Sequence, residues 1–277
     1  MRASLLGLWA AAAMLAGCAA VAVPPIEGVV WQIDNEHTAP QGDWQKLGVR
    51  RLLVQWTVVD NLAFVPGTGL PAGTSMPDWQ AIAAQPWAQE VILGLAGRFD
   101  ERGARGDLER LVQLSADVAR TPPPVRVAGY YFPIEIDPTW MEAYRLKTLL
   151  LQLPRPLWIS VYDSANVGPE ELAQSLVEWL PPDVGVFFQD GVGVHAREPY
   201  VARHYANVLV RRLGRERVRV IAEAFRPNVG GGFRPATIEE VRPQLATYEG
   251  FPIYLFEGPR YVPPQLVQGL AAAQKNQ

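Results

Sequence analysis

Apolar runs of strand length recur along the chain at residues 28–33, 51–56, 90–95, 128–135, 157–162, 184–189, 218–224 and 252–257, with the short, bounded form expected of buried strands. Between them lie stretches with helical spacing. Leu108, Leu111, Val112, Leu114 and Val118 make one apolar stripe, with Glu109, Arg110 and Asp117 on the opposite side. Leu172, Leu176, Val177 and Leu180 make another, after a Pro169-Glu170-Glu171 start that suits the first turn of a helix. Further helices are predicted over residues 200–213, 238–245 and 264–273. Only a short helix fits around residues 43–47, and Pro86 should end or kink the one predicted over 78–89.

Strands that alternate with helices imply a parallel sheet covered on both faces. Eight such units in about 230 residues favour closure into a single (β/α)₈ TIM barrel of the α/β class, predicted over residues 28–277. An open dinucleotide-binding sheet would carry G-x-G-x-x-G after its first strand. Here that strand runs into Trp31-Gln32-Ile33-Asp34-Asn35-Glu36, which has no such loop.

The N-terminus changes the picture of where the barrel works. Residues 1–17 have a basic start at Arg2 and an apolar stretch from Leu5 to Leu15 too short to span a bilayer, the form of a secretory signal peptide. Leu15-Ala16-Gly17-Cys18 is similar to the bacterial lipoprotein box, which implies cleavage before Cys18, lipidation of that cysteine and a membrane anchor followed by a tether over residues 18–27. The residue after it is Ala19 and not aspartate, which implies the outer membrane, at its periplasmic face or surface, if the cell is Gram-negative. Cys18 is the only cysteine, so no intrachain disulfide can form, and the remaining 260 of 277 residues must be held by a core. A formal net charge of −3, from 25 basic and 28 acidic residues, lacks the basic excess of a nucleic-acid binder. His37, His195 and His204 have no metal-ligand spacing. The chain is expected to act as a monomer without cofactor or metal.

In an α/β barrel the chemistry sits at the C-terminal ends of the strands. The residues there are Gln32 and Asp34, Gln55 and Trp56, Glu135, Tyr162 and Asp163, Asp190, Glu223, and Glu257. Carboxyls crowded on one rim raise one another's pKa values, and glycoside hydrolysis needs one carboxyl protonated and one ionised. Glu135 and Glu223 follow the fourth and seventh strands, on opposite sides of the mouth, and are the expected catalytic pair. Their placement is similar to the largest clan of retaining (β/α)₈ glycosidases, which implies that Glu135 is the acid/base and Glu223 the nucleophile. Those enzymes usually carry asparagine before the first acid, and here Ile134 stands there. Asp190, Gln55, Trp56, Trp31, Tyr131, Tyr162 and Glu257 are the expected substrate-binding residues, the rings stacking on sugar faces. Structural roles compete for several of them. Asp137 before Pro138 suits a cap, Glu223 could pair with Arg226, Glu257 with Arg260, and Asp190 before Gly191 could cap a turn. The glycine-rich loop over 226–234 reads as a long turn or a lid.

The segments DWQKLGVRRLLVQWTV (43–58), GYYFPIEID (129–137), VFFQDGVG (186–193) and IAEAF (221–225) together resemble the bacterial glycoside-hydrolase-like barrels of the domain-of-unknown-function family numbered 4434. The resemblance implies an exported hydrolase-like barrel with Gln55, Trp56, Glu135, Asp190 and Glu223 at its site. The expected function is an envelope-anchored glycoside hydrolase, or transglycosylase, that acts on a polysaccharide by a retaining two-carboxylate mechanism. A non-catalytic polysaccharide-binding lipoprotein is the alternative, and an assembly factor using the outer helices a third.

Overall fold

The eight apolar runs become eight strands: β1 (Gly28–Trp31), β2 (Arg51–Val54), β3 (Glu90–Gly94), β4 (Val127–Ile136), β5 (Leu157–Val161), β6 (Val184–Gln189), β7 (Val218–Glu223) and β8 (Ile253–Phe256). The computed structural model describes residues 22–275, so the expected leader and Cys18 lie outside the described residues. Each strand pairs in parallel with its neighbours in chain order, and β1 pairs with β8 to close the barrel.

The helices are α1 (Trp79–Ala83), α2 (Glu101–Gly106), α3 (Leu108–Arg120), α4 (Leu146–Leu149), α5 (Pro169–Trp179), α6 (Pro199–Leu213), α7 (Ile238–Thr247), α8 (Gly258–Tyr261) and α9 (Pro264–Lys275). Their starts are written locally. Asp78 accepts from Ala81 N at 2.9 Å, Asp100 accepts from Gly103 N at 2.7 Å, and Thr237 with Glu240 forms a capping box. A short 3-10 turn, Trp44–Leu47, replaces a helix after β1. The helix α1 ends three residues before Pro86.

Side chains alternate across each strand, and the two sets build two cores. Val30, Leu53, Ile92, Tyr131, Phe187, Ile221 and Tyr254, with Trp158, fill the barrel from all eight strands. The intervening positions, such as Val29, Trp31, Leu52, Val54 and Phe188, pack outward against the helices. This alternation decides which strand-end residues can reach the mouth.

The barrel also begins earlier than Gly28. Val23 and Ile26, expected in a free tether, are fully buried, Ile26 N donates to Leu47 O, and Gln274 Nε2 donates to Pro24 O. The expected tether is therefore corrected: from Val23 onward it is part of the packed domain.

Candidate active site

Residues in register with the inward set rise into the mouth. Gln32, Gln55, Glu135, Gln189, Ile221 and Phe256 line a cavity of about 230 Å³ at the C-terminal end of the barrel, together with Trp56, Arg98, Phe99 and Glu101. Glu135 is the strand-end carboxyl among them. Gln189 Nε2 donates to Glu135 Oε2 at 2.7 Å and approaches Ser160 Oγ at 2.6 Å, which fixes the carboxyl. Burial pushes Glu135 above the usual carboxylate range, while the Gln189 amide and the nearby Arg105 favour its ionised form.

Glu101 is a site residue that the sequence reading missed. Its Oε2 accepts from Glu135 N at 3.3 Å, and burial, then the Glu135 charge, push it up to about 7. Phe99 is a second omission. It is 53% exposed, and its ring meets that of Trp56, itself only 3% exposed, edge-on at 4.8 Å, so Phe99 is the open ring at the mouth. Trp56 itself is held by donation from Nε1 to Ile33 O at 2.8 Å.

Glu223 follows Ile221 by two positions and so shares its inward register. It is 5% exposed, and its Oε2 accepts from Val194 N at 3.2 Å. The turn that carries Val194 lies against it, because Gly191 takes φ +65 and Gly193 sits where a Cβ would be 2.6 Å from Glu223 Cβ. Burial, then the charge of Asp190, push Glu223 up to about 8. The second of these causes lies one position out of register. Asp190 is fully buried on the helix side of β6, where it accepts from Gln244 Nε2 (2.6 Å), Tyr248 Oη (2.9 Å), Val192 N (3.2 Å) and Glu223 N (3.2 Å). Burial raises Asp190 as well. Four donors nevertheless favour the anion on Asp190, which leaves the proton of the pair with Glu223. Tyr162, half-buried at the end of β5, feels both acids: after burial its hydroxyl is raised chiefly by Glu223 and further by Glu135.

Four of the expected substrate-binding residues are corrected. Trp31 faces outward, fully buried, with Nε1 on His37 O and its ring 5.7 Å from Trp79. Tyr131 points inward but lies too deep, 1% exposed, against Phe187. Asp190 has no exposed surface for a sugar hydroxyl. Glu257 is likewise fully buried, where it accepts from Gln32 N at 2.8 Å and from Arg260 at 3.0 Å, and Arg260 also bonds Asp34 at 2.5 Å. That network ties the chain after β8 to the chain after β1. Gln55, Trp56 and Tyr162 remain at the mouth. Asp137 ties two loops by accepting from Thr139 N and Ser164 N. Arg226 bonds carbonyls and Gln244 and not the Glu223 carboxyl. The glycine-rich loop is a hairpin, Phe225–Pro227 against Phe233–Pro235. Among the described residues, no three His, Cys, Asp or Glu side chains cluster so as to hold a metal ion, and no helix is long and apolar enough to cross a membrane.

The PgaB (BpsB) glycoside hydrolase domain from Bordetella bronchiseptica has a similar structure, with a TM-score of 0.54 at 14% identity, over 91% of this chain and 98% of that one. The fold is thus an α/β TIM barrel, similar to that of this glycoside hydrolase domain. The uncharacterized protein YbcH of Escherichia coli (strain K12) is 26% identical over 200 residues, which cover 61% of this chain and 66% of that protein. The chain thus spans just under two thirds of the curated relative it matches. No family model matches the chain.

Proposed function

We propose that this barrel is a polysaccharide-cleaving glycoside hydrolase, lipid-anchored to the bacterial envelope through Cys18, in which Glu223 and Glu135 divide the acid and base work. The observation that supports it most is Glu223. It is a carboxyl in inward register at the end of β7, held protonated up to about pH 8, and a second carboxyl, Glu135, lines the cavity at the C-terminal end of the barrel. A neutral carboxyl at working pH is what a proton donor needs. In this mechanism the Glu223 proton passes to the glycosidic oxygen as the bond to the anomeric carbon breaks. Glu135, oriented by Gln189, attacks that carbon or takes a proton from the attacking water. These roles are the reverse of those implied by the retaining clan. Phe99, braced by Trp56, holds a sugar ring by stacking. The same reading groups the chain with the family numbered 4434, through Gln55, Trp56, Glu135 and Glu223.

The test is release of new reducing ends from a panel of bacterial polysaccharides. The parent should cleave one of them, and Glu135→Gln should abolish cleavage. Glu223→Gln should fail on the polysaccharide yet still cleave an aryl glycoside whose leaving group needs no proton. A Glu135→Gln protein that cleaves at the parent rate would refute the assignment. The near-complete burial of Glu223 favours a second reading, a glycan-binding barrel without turnover. Tight binding of a polysaccharide with no product from the parent would establish it.

A further inference from the structure

The end of the barrel opposite the mouth carries a charge pattern that the hydrolase chemistry does not use. There, an open hollow of about 430 Å³ is lined by Glu27, Arg50, Arg51, Glu90 and Arg126 with neighbouring backbone. Arg51 absorbs both acids, with contacts of 2.6 Å to Glu27 and 2.7 Å to Glu90. Arg50 is exposed, and its side chain makes no hydrogen bond or ion pair among the described residues. Arg126 is 75% exposed and touches only Glu90, at 3.2 Å. Behind them Arg219 lies on the Trp158 ring at 4.3 Å, and its Nε and Nη1 have no hydrogen-bond partner. Its nearest acid oxygen, on Glu27, is 3.7 Å away. Four arginines therefore face two glutamates here, in a chain of net charge −3.

The chain enters the fold at this same end. Val23 and Ile26 are buried, and Glu27 N bonds Ile253 O at the start of β8. Four residues separate Cys18 from Val23, a contour of at most about 18 Å over the five steps. We infer that this arginine-lined face docks on an anionic bilayer, phosphate-bearing headgroups entering the hollow between Arg50 and Arg126, so that the mouth points away from the membrane. The inference rests on the lipid-anchored reading for its geometry: a lipid on Cys18 would hold the face close to the headgroups, where their potential acts.

The test uses the chain from residue 18 with Cys18→Ser, which keeps every described residue and has no lipid. It should sediment with vesicles containing roughly one-third phosphatidylglycerol in phosphatidylcholine, not with pure phosphatidylcholine, and high salt should release it. Arg50→Gln/Arg126→Gln should weaken binding by about 25-fold, roughly fivefold per arginine. Arg102→Gln/Arg110→Gln, an equal charge change on the first turns of α2 and α3 at the mouth end, should leave it unchanged. Equal binding to both vesicle types, or equal loss in both double variants, would overturn the docking surface. Mass analysis of Cys18 in the full chain expressed in bacteria tests the anchor separately. An unmodified cysteine with selective vesicle binding would overturn the anchor and leave the surface standing.

Discussion

Replacing Glu223 with glutamine should flatten much of the parent's loss of stability with rising pH. A carboxyl whose pKa is raised from 4.5 to about 8 keeps its proton in the folded state where the unfolded chain has lost it. The stability it contributes is therefore fully present below 4.5 and is lost as pH rises through about 8. The slope approaches about 1.4 kcal/mol per pH unit, and over the window the loss is on the order of 3 to 5 kcal/mol. Glu101, raised to about 7, adds a loss of the same sign over a narrower window and remains in the variant. Urea unfolding at constant ionic strength should show the variant falling less steeply than the parent between pH 4.5 and about 8. Glutamine still offers an oxygen to Val194 N, so the loop should stay in place. Parallel stability curves for parent and variant would refute the claim that Glu223 is the protonated member of the pair.

Three further outcomes follow from the same geometry. Asp190→Asn removes the charge that stands second to burial in raising Glu223, so the alkaline limb of kcat/KM on a cleaved polysaccharide should move down by about one pH unit; an unmoved limb would show that burial alone sets it. Gly193→Ala drives a Cβ to 2.6 Å from Glu223 Cβ and 2.9 Å from Phe225 O. It should cost about 1 to 3 kcal/mol of stability and at least about tenfold in kcat, whereas Gly230→Ala, with nothing within 4 Å, should change neither. Phe99→Ala should raise KM by about three- to tenfold with little change in kcat. Its stability should shift by less than about 0.5 kcal/mol, because the ring is exposed; loss of kcat alone would place Phe99 outside the sugar-binding wall.

How far the site could be read from the chain depended on register. All eight strands announce themselves as apolar runs, and Glu135 and Glu223 fall at the ends of two of them. Within VFFQDGVG, Phe187 faces the barrel interior, so Gln189, two positions on, enters the mouth. Asp190, although charged and followed by glycine, faces the helices. Counting in twos from the inner core separates the two, as it separates Gln32 from Trp31 and Phe256 from Glu257. Glu101 was hidden for another reason. After the Asp100 cap it looks like any first-turn helix acid, and only the return of β4 beside it makes a pair with Glu135. Tyr131 has the right parity at the wrong depth, which depends on how far each strand extends past its neighbours. Two of the four donors to Asp190, Gln244 in α7 and Tyr248 just after it, lie more than fifty residues away, and no local pattern reports them.

The direct test of the central claim is a crystal structure of the Glu135→Gln protein soaked with oligosaccharides of a polysaccharide that the parent cleaves. A sugar should lie on Phe99, with a glycosidic oxygen within hydrogen-bonding distance of Glu223 and residue 135 on the other face of the anomeric carbon. A glycan bound elsewhere on the barrel, or in the mouth with no linkage oxygen within reach of Glu223, would contradict it.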